Sequence, residues 1–505
     1  MKEQSVVTDI RRKVFAEVAK VAFGSDDIAG DIEAIPYKIT PDEIPRYRDN
    51  IYRERQIAAE RVRLAMGLSL RPANKPVHIT EGLGGTNIAE KYYEPPLMQV
   101  ITSACDMCPD NLYEVTNMCR NCVAHSCIKS CPKGAVSIVN GKAFIDQGKC
   151  IKCGRCKEAC PYNAIAHRIR PCSAACGINV ITTDEYGRAM IDNSKCVACG
   201  QCMSACPFGA IADKSQIFQL IQALKKGDKI IACVAPAIAG QYGPKATMGK
   251  IKTALLKLGF DDLYEVAEGA DLSCIAEANH YVHSVATGKL PFLLTSCCPA
   301  WAVLAKTQFP DFVEEVSQEL TPMVATARKV KENNPDARVV FIGPCAAKKL
   351  EAMRVRHRSF VDFVLTFEEL AGVFAAKEIK VAELEETPLR QTDCTGAGRG
   401  YAVAGGVSAA IARTVKEYYP ETEVNIYHAE GLADCRKILM LAKEGKVSHC
   451  LIEGMGCPGG CVAGVGTVIP PEKAKVLVEM FSKSSKKQIP EAEWLEYAER
   501  LTKMN

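Results

Sequence analysis

No stretch of the 505-residue sequence approaches the run of about 18 apolar residues that a membrane helix needs, so no membrane embedding is expected. An export signal is missing too. The opening MKEQSVVTDIRRKVFAEVAKVAFG alternates charged and apolar side chains and offers neither an apolar core nor a small-residue cleavage site. These absences make the reducing cytoplasm the expected setting. Nor is there an excess of one charge. Lys and Arg number 63 against 59 Asp and Glu, a net +4 that provides no basic field for nucleic acid or an anionic membrane surface. Aromatic residues are few, at 7% with two tryptophans, yet 48% apolar and 24% charged content is that of an ordinary folded protein. Disorder and low-complexity architectures are thereby excluded. The length suits about three domains.

Cysteine is what the chain has in excess, 26 residues in all. Sixteen lie between Cys105 and Cys206, roughly 15% of that stretch, above the level of about 8–10% that marks a cysteine-built scaffold. Disulfides would explain this in a secreted chain, but reducing conditions make metal the better explanation. Cys150, Cys153, Cys156 and Cys160, followed by Pro161, have the Cys-x2-Cys-x2-Cys-x3-Cys-Pro spacing of bacterial ferredoxins, and Cys196, Cys199, Cys202 and Cys206, followed by Pro207, repeat it. Cys119, Cys122, Cys127 and Cys131 form a variant with two extra residues before the third cysteine. Three thiolates so closely spaced wrap one face of a [4Fe-4S] cube, and the fourth, before proline, ligates the other cube of the pair. Zinc sites use separated Cys-x2-Cys pairs and seldom a third cysteine so near. At least three iron–sulfur clusters are expected.

Cys105, Cys108, Cys172 and Cys176 remain. The segments SCIKSCPKGAVSI and PCSAACGINVI both carry Cys-x3-Cys, then an apolar run, and a ferredoxin run further on. Cys172 and Cys176 thus read as the second half of a run whose first half, Cys105-x2-Cys108, is displaced upstream. One two-cluster unit would sit inside a second, split one. Crossed ligation then predicts four accessory cubes. The inner pair uses Cys119, Cys122, Cys127 with Cys160, and Cys150, Cys153, Cys156 with Cys131. The outer pair uses Cys105, Cys108, Cys172 with Cys206, and Cys196, Cys199, Cys202 with Cys176. The competing reading is that the four extra cysteines bind something separate, or nothing. A row of such clusters moves single electrons between a partner protein and a buried centre.

Around this zone the chain divides in four. Residues 1–102 read as a helical N-terminal segment in which DEIPRYRDNIYRERQIAAERVRLAMGLSL, with Ile51, Ile57, Ala58 and Val62 on its apolar positions, covers the cysteine-rich zone. Residues 103–212 form the nested, α+β ferredoxin-like domain. From 213 to 469 the apolar runs KIIACVAP, LPFLLTSC, ARVVFIGPC and VSHCLIEGMGC alternate with helical patterns such as GKIKTALLKLG and FEELAGVFAAKE, predicting a mostly parallel α/β sheet. Residues 470–505 make a helical tail. In the α/β part Cys297, Cys298, Cys345, Cys457 and Cys461 follow strand-like runs, where open parallel sheets collect their ligands. Pro and Gly beside them bring backbone close to a ligand. Cys233, Cys274, Cys394, Cys435 and Cys450 stand alone in apolar segments and read as packed small residues.

The segments TSCCPAW, GPCAAKKLEA and EGMGCPGGCVAG resemble the three signature motifs of the [FeFe]-hydrogenases, in the family's order. VAP at Val234–Pro236, TP at Thr321–Pro322 and TGAGRGYAVAGGV from Thr395 support the resemblance. It implies an H-cluster, a [4Fe-4S] cube joined through a cysteine thiolate to a two-iron unit carrying carbon monoxide, cyanide and azadithiolate. Cys298, Cys345, Cys457 and Cys461 match the cube ligands, with Cys461 bridging. Lys348 matches the lysine that hydrogen-bonds a cyanide, Met455 the methionine near the bridging carbonyl, and Ala235, Pro236 and Pro322 other wall positions. Some positions depart from the commoner pattern: Gly343 stands for a methionine, Ala237 for a serine and Met323 for a glutamine, a set that resembles the branch called group B.

For protons, Cys297 matches the family's exchanging thiol, Glu277 its relay carboxylate and Ser317 its relay hydroxyl. Further out, His280 and Ser284 replace a glutamate and an arginine, on one helical face with Glu277 at i, i+3 and i+7. The activity implied is reversible oxidation of dihydrogen, with electrons exchanged with ferredoxin or a similar one-electron carrier, and with hydrogenase maturation proteins as assembly partners. Neither nucleic acid nor membrane is expected as a partner. The competing functions are a noncatalytic hydrogenase-like assembly factor, a hydrogen sensor, and the catalytic subunit of an electron-bifurcating complex. Noncatalytic relatives generally lack the double cysteine of TSCC.

Overall fold

A computed structural model describes residues 5–83, 95–354, 360–390 and 394–503. Near the N-terminus, the helix Val6–Gly24 begins at Ser5, whose hydroxyl accepts from the Thr8 amide, and buries Val14, Val18 and Ala22. It packs on the helices Ile217–Lys226 and Phe367–Ala376 of the α/β part. Gly372 permits the approach, since a Cβ there would come 2.5 Å from the Phe15 Cβ. The helix Ile51–Ala65 instead lies on the cysteine-rich zone. Arg48 and Arg53 donate to the carbonyls of Ala104 (2.6 Å) and Ser103 (2.8 Å), and buried Arg61 donates to the Gly209 carbonyl. The N-terminal segment, expected to cover the cysteine zone, therefore grips both neighbours.

Strand pairing in the cysteine zone is nested. Strand β1 (Met98–Val100) pairs antiparallel with β8 (Ile211–Asp213), and they enclose everything between. Within, β2 (Leu112–Val115) pairs with β5 (Ile165–Arg168) and encloses the hairpin β3 (Val136–Val139) and β4 (Lys142–Ile145). The hairpin β6 (Ile181–Thr183) and β7 (Ala189–Ile191) follows. The inner lobe, residues 111–168, keeps its own small core of Tyr113, Val136, Ile145 and Ile165. The outer lobe shares its core with the α/β part, where Ile178, Val180 and Val197 pack with Trp301 and Ile452.

The α/β part holds two parallel sheets rather than one. The first has the order β10 (Asp262–Glu265), β9 (Ile230–Val234), β12 (Arg338–Gly343), β13 (Phe363–Thr366). The second has the order β11 (Phe292–Leu294), β15 (Cys450–Met455), β14 (Ile426–Glu430). Strands β9, β11, β12 and β15 are the four apolar runs of the sequence. All are covered on both faces, which is why they read as continuous rather than alternating apolar segments. The tail forms the helices Pro471–Lys483 and Trp494–Thr502, the second packed on the helices Val266–Ser284 and Pro322–Asn333. Among the described residues no helix is long and apolar enough to cross a membrane.

Candidate active site

A cavity of about 80 Å³ opens beyond the C-terminal ends of β9 and β12 in one sheet and β11 and β15 in the other. Its lining includes Ala235 and Pro236 after β9, Cys297 and Cys298 after β11, Cys345 after β12, and Met455 and Cys461 at the end of β15 and beyond it, with Pro322 and Lys348. The lining is almost wholly apolar. Small-molecule cofactor sites measure about 300–1,000 Å³, so this cavity suits an inorganic group and a very small substrate.

Four cysteines converge there. Cys298 caps the helix Pro299–Gln308, and its Sγ accepts from the Gly456 amide at 3.3 Å. Cys345 lies in the electrostatic range of Cys298, and Cys457 and Cys461 lie in that of both. Burial and these neighbours push the Cys345 thiol up to about 11 and Cys461 up to about 12, and Cys457 well up. Gly460 shapes the loop between Cys457 and Cys461. Its φ is +86°, and a Cβ would come 2.5 Å from the Ala404 amide nitrogen.

The walls show how the departures from the family pattern are accommodated. Ala237 and Met323 do line the cavity. Gly343 does not; Phe341, two residues earlier on the same face of β12, fills that side, and a Cβ on Gly343 would meet its ring at 2.5 Å. Lys348 Nζ donates to Glu351 Oε2 at 2.7 Å and to the Cys297 carbonyl at 3.2 Å. Desolvation pulls this ammonium down, but the buried Glu351 carboxylate outweighs it and holds the pKa above its ordinary value. Thr321 in turn donates to Glu351 at 2.7 Å. Tyr401 also lines the cavity, its buried hydroxyl set against the Cys274 thiol.

Behind Cys297 stands Glu277, 2% exposed, whose Oε1 accepts from the Ser296 amide at 3.4 Å. Burial drives its carboxyl up to about 7, with the Ser317 hydroxyl and the Ser296 amide pulling it partly back. Its Oε2 has no partner. The Ser317 hydroxyl accepts from the Glu319 amide at 3.3 Å, and Glu319 lies 4.0 Å from His280 Nδ1. These two side chains are 27% and 24% exposed, at the edge of the protein. Ser284 takes no part, because its hydroxyl donates back to the His280 carbonyl at 2.6 Å.

Residues 228–465 match the family described as iron only hydrogenase large subunit, C-terminal domain, and residues 143–166 and 189–212 match the 4Fe-4S binding domain. Iron hydrogenase 1 of Clostridium pasteurianum is 30% identical over 383 residues, 66% of this chain and 66% of that protein. The periplasmic [Fe] hydrogenase large subunit of Nitratidesulfovibrio vulgaris is 30% identical over 378 residues, 65% of this chain and 86% of that protein. The chain belongs to the iron-only hydrogenase family. Protein NAR1 of Arabidopsis thaliana is also similar, at 24% identity over 328 residues, 51% of this chain and 69% of that protein.

The accessory cysteines of this hydrogenase-family chain fall into four groups. Cys119, Cys122, Cys127 and Cys160 line one small cavity; Cys105, Cys108, Cys172 and Cys206 line another. Cys131 lies in the electrostatic range of Cys156, as does Cys150, and exposed Cys153 follows on the same loop. Cys176 lies in that of Cys196, Cys199 and Cys202. The split unit repeats the inner one in detail. The Cys105 Sγ accepts from Ala189 on β7 at 3.4 Å, just as Cys119 accepts from Ala143 on β4 at 3.4 Å. Cys131, Cys160 and Cys206 each accept from the amide four residues on, at 3.2–3.4 Å. Cys199 lies in the electrostatic range of Cys345 and Cys457, joining the last accessory group to the cavity.

These donors fit iron–sulfur clusters. They are soft thiols in groups of four, and burial and mutual repulsion raise Cys345, Cys457 and Cys461, which favours their neutralisation by a bound cation. Cys233, Cys274, Cys394, Cys435 and Cys450 are buried, and Cys435 lies in the electrostatic range of Cys298. Sequence reasoning missed Phe341, Tyr401 and Glu319. Only Phe341 left a signal, its period-two relation to Gly343 on a strand.

Proposed function

We propose that this chain is an active [FeFe]-hydrogenase that interconverts dihydrogen with protons and electrons. In this reading Cys298, Cys345, Cys457 and Cys461 would hold the cube of an H-cluster, Cys461 would also tie its diiron unit to the protein, and the cavity would receive that unit. When bound, the H-cluster supplies the redox-active iron at which dihydrogen is formed or split. The chain does the rest. Lys348, kept cationic by Glu351, gives a charge-assisted hydrogen bond to an anionic ligand of the group. Met455, Ala235, Pro236 and Pro322 wall the site with apolar surface and exclude water. Cys297 exchanges a proton at its Sγ with Glu277, and Ser317 passes it towards Glu319 and His280 at the protein edge.

Electrons travel through four accessory cubes, in the crossed arrangement of the sequence reading, to or from a ferredoxin-like carrier. The paired cavities and the repeated Cys105–Ala189 and Cys119–Ala143 hydrogen bonds support this count. A cytoplasmic setting and assembly by hydrogenase maturation proteins belong to the same reading. The competing function is a noncatalytic iron–sulfur protein. The observation that favours catalysis is Cys297, a non-ligand thiol that lines the cavity with a carboxyl of pKa about 7 behind it. A protein that merely stored a cube would need neither. Viologen-linked hydrogen evolution by the anaerobically matured protein is expected, and a fully loaded protein without it would contradict the proposal.

A further inference from the structure

The inner ferredoxin lobe carries the chain's positive charge. Residues 111–168 contain nine Lys and Arg against Glu114, Asp146 and Glu158, a net +6, and with the whole chain at +4 everything else is net negative. All nine cations are exposed. Two of them face carboxylates, Arg168 with Glu114 at 2.6 Å and Lys149 with Asp146 at 3.8 Å. Arg120, Lys129, Lys133, Lys152, Arg155 and Lys157 have no carboxylate partner among the described residues.

Holding clusters does not require this charge. The outer lobe, residues 101–110 and 169–212, has the same cysteine inventory and the same hairpin plan, yet three Lys and Arg against five Asp and Glu. The difference between the lobes is position. The outer lobe is packed into the α/β core, while the inner lobe has its own core and contacts chiefly itself. Exposed apolar side chains concentrate on the inner lobe as well, with Val123 97% exposed beside Cys122, and Ile151 54% exposed near Cys153. Arg120 and Tyr162 stand at the cavity lined by Cys119, Cys122, Cys127 and Cys160. Exposed cations and exposed apolar residues on one lobe beside a cysteine cavity are the surface features that steer and then seat an oppositely charged partner.

We propose that the inner lobe is the docking surface for a small, acidic one-electron carrier protein, which exchanges electrons there with the outermost clusters. This rests on the hydrogenase reading for the fate of the electrons, but the surface can be tested apart from it. The probe is an acidic two-cluster bacterial-type ferredoxin, used with the iron-loaded full chain. The triple variant Lys129→Glu, Lys133→Glu, Lys157→Glu is compared with wild type and with the Arg replacements at the same positions. Iron content and the accessory-cluster paramagnetic resonance spectrum verify that all three proteins are intact.

The charge-reversed protein is expected to raise the KM for ferredoxin at least about tenfold and to lose its salt dependence, the range over which steering charges act. Its viologen-linked rate is expected to stay at the wild-type level, and the Arg variant to match wild type throughout. An unchanged KM for ferredoxin overturns the proposal, as does equally tight binding of duplex DNA. Absence of viologen-linked turnover in wild type would contradict the hydrogenase reading instead. Calorimetric binding of ferredoxin to wild type and variant would still decide the docking surface.

Discussion

Cys297 and Cys298 are adjacent in sequence and have separate duties. Cys298 faces the other three cysteines, whereas Cys297 adjoins Glu277 and leaves its carbonyl to Lys348. Cys297→Ala is therefore expected to keep the H-cluster carbonyl and cyanide bands while turnover falls by about 10²–10⁴-fold, the usual contribution of a general acid–base group. Cys297→Asp should recover part of it. An alanine variant with normal turnover would remove Cys297 from the proton route. Glu277 gives a second test, free of the cofactor. Its carboxyl pKa is raised from 4.5 to about 7, so it stays protonated in the fold at pH values where the unfolded chain has already released its proton. Burying it thus costs increasing stability as pH climbs from 4.5 through 7, reaching on the order of 3 kcal/mol above that range. Glu277→Gln should melt higher than wild type at pH 8 with little difference at pH 5, and it should also lose turnover. Equal melting shifts at both pH values would contradict the assigned burial. That Cys298, Cys345, Cys457 and Cys461 come together was legible in the sequence through three short motifs, and Glu277 through its spacing from Cys297 in the family resemblance. Glu319 was not, since a glutamate two residues past Ser317 looks like any surface residue until folding sets it beside His280.

Strand β12 carries the clearest element-scale substitution. The methionine usual in the family is absent at Gly343, and the Phe341 ring takes up the space. Gly343→Ala should destabilise the protein by about 1–3 kcal/mol through overpacking, and Phe341→Leu in the same chain should relieve much of that cost. A double-mutant cycle in denaturant would measure the coupling, and additive effects would show that the ring does not fill the gap. The four apolar runs announced β9, β11, β12 and β15, but β10 (DLYE) and β14 (IYHAE) are too short and too polar to announce themselves. Division into two sheets was equally hidden, because strand order is fixed by packing between distant segments. The nesting of the ferredoxin units could be read, since Cys172 and Cys176 repeat a pattern that lacks only its first pair.

Over the whole molecule, the proposed function is a wire ending in an apolar cavity. The inner lobe stands out from the rest, the outer lobe is built into the α/β core, and Cys199 approaches Cys345 and Cys457 where the two meet. Four irons in each accessory cube and six at the catalytic centre predict about 22 irons per fully loaded chain. A value near 18 would mean that the split cysteine set holds one cube only. The central claim is that the cavity between the two sheets receives a diiron unit tied to the protein through Cys461. The infrared spectrum of the protein matured anaerobically with the hydrogenase maturation proteins tests it most directly. Carbonyl and cyanide stretches in wild type, lost in Cys461→Ser with the accessory clusters retained, are the predicted result. A matured, fully iron-loaded wild type without those bands would contradict it.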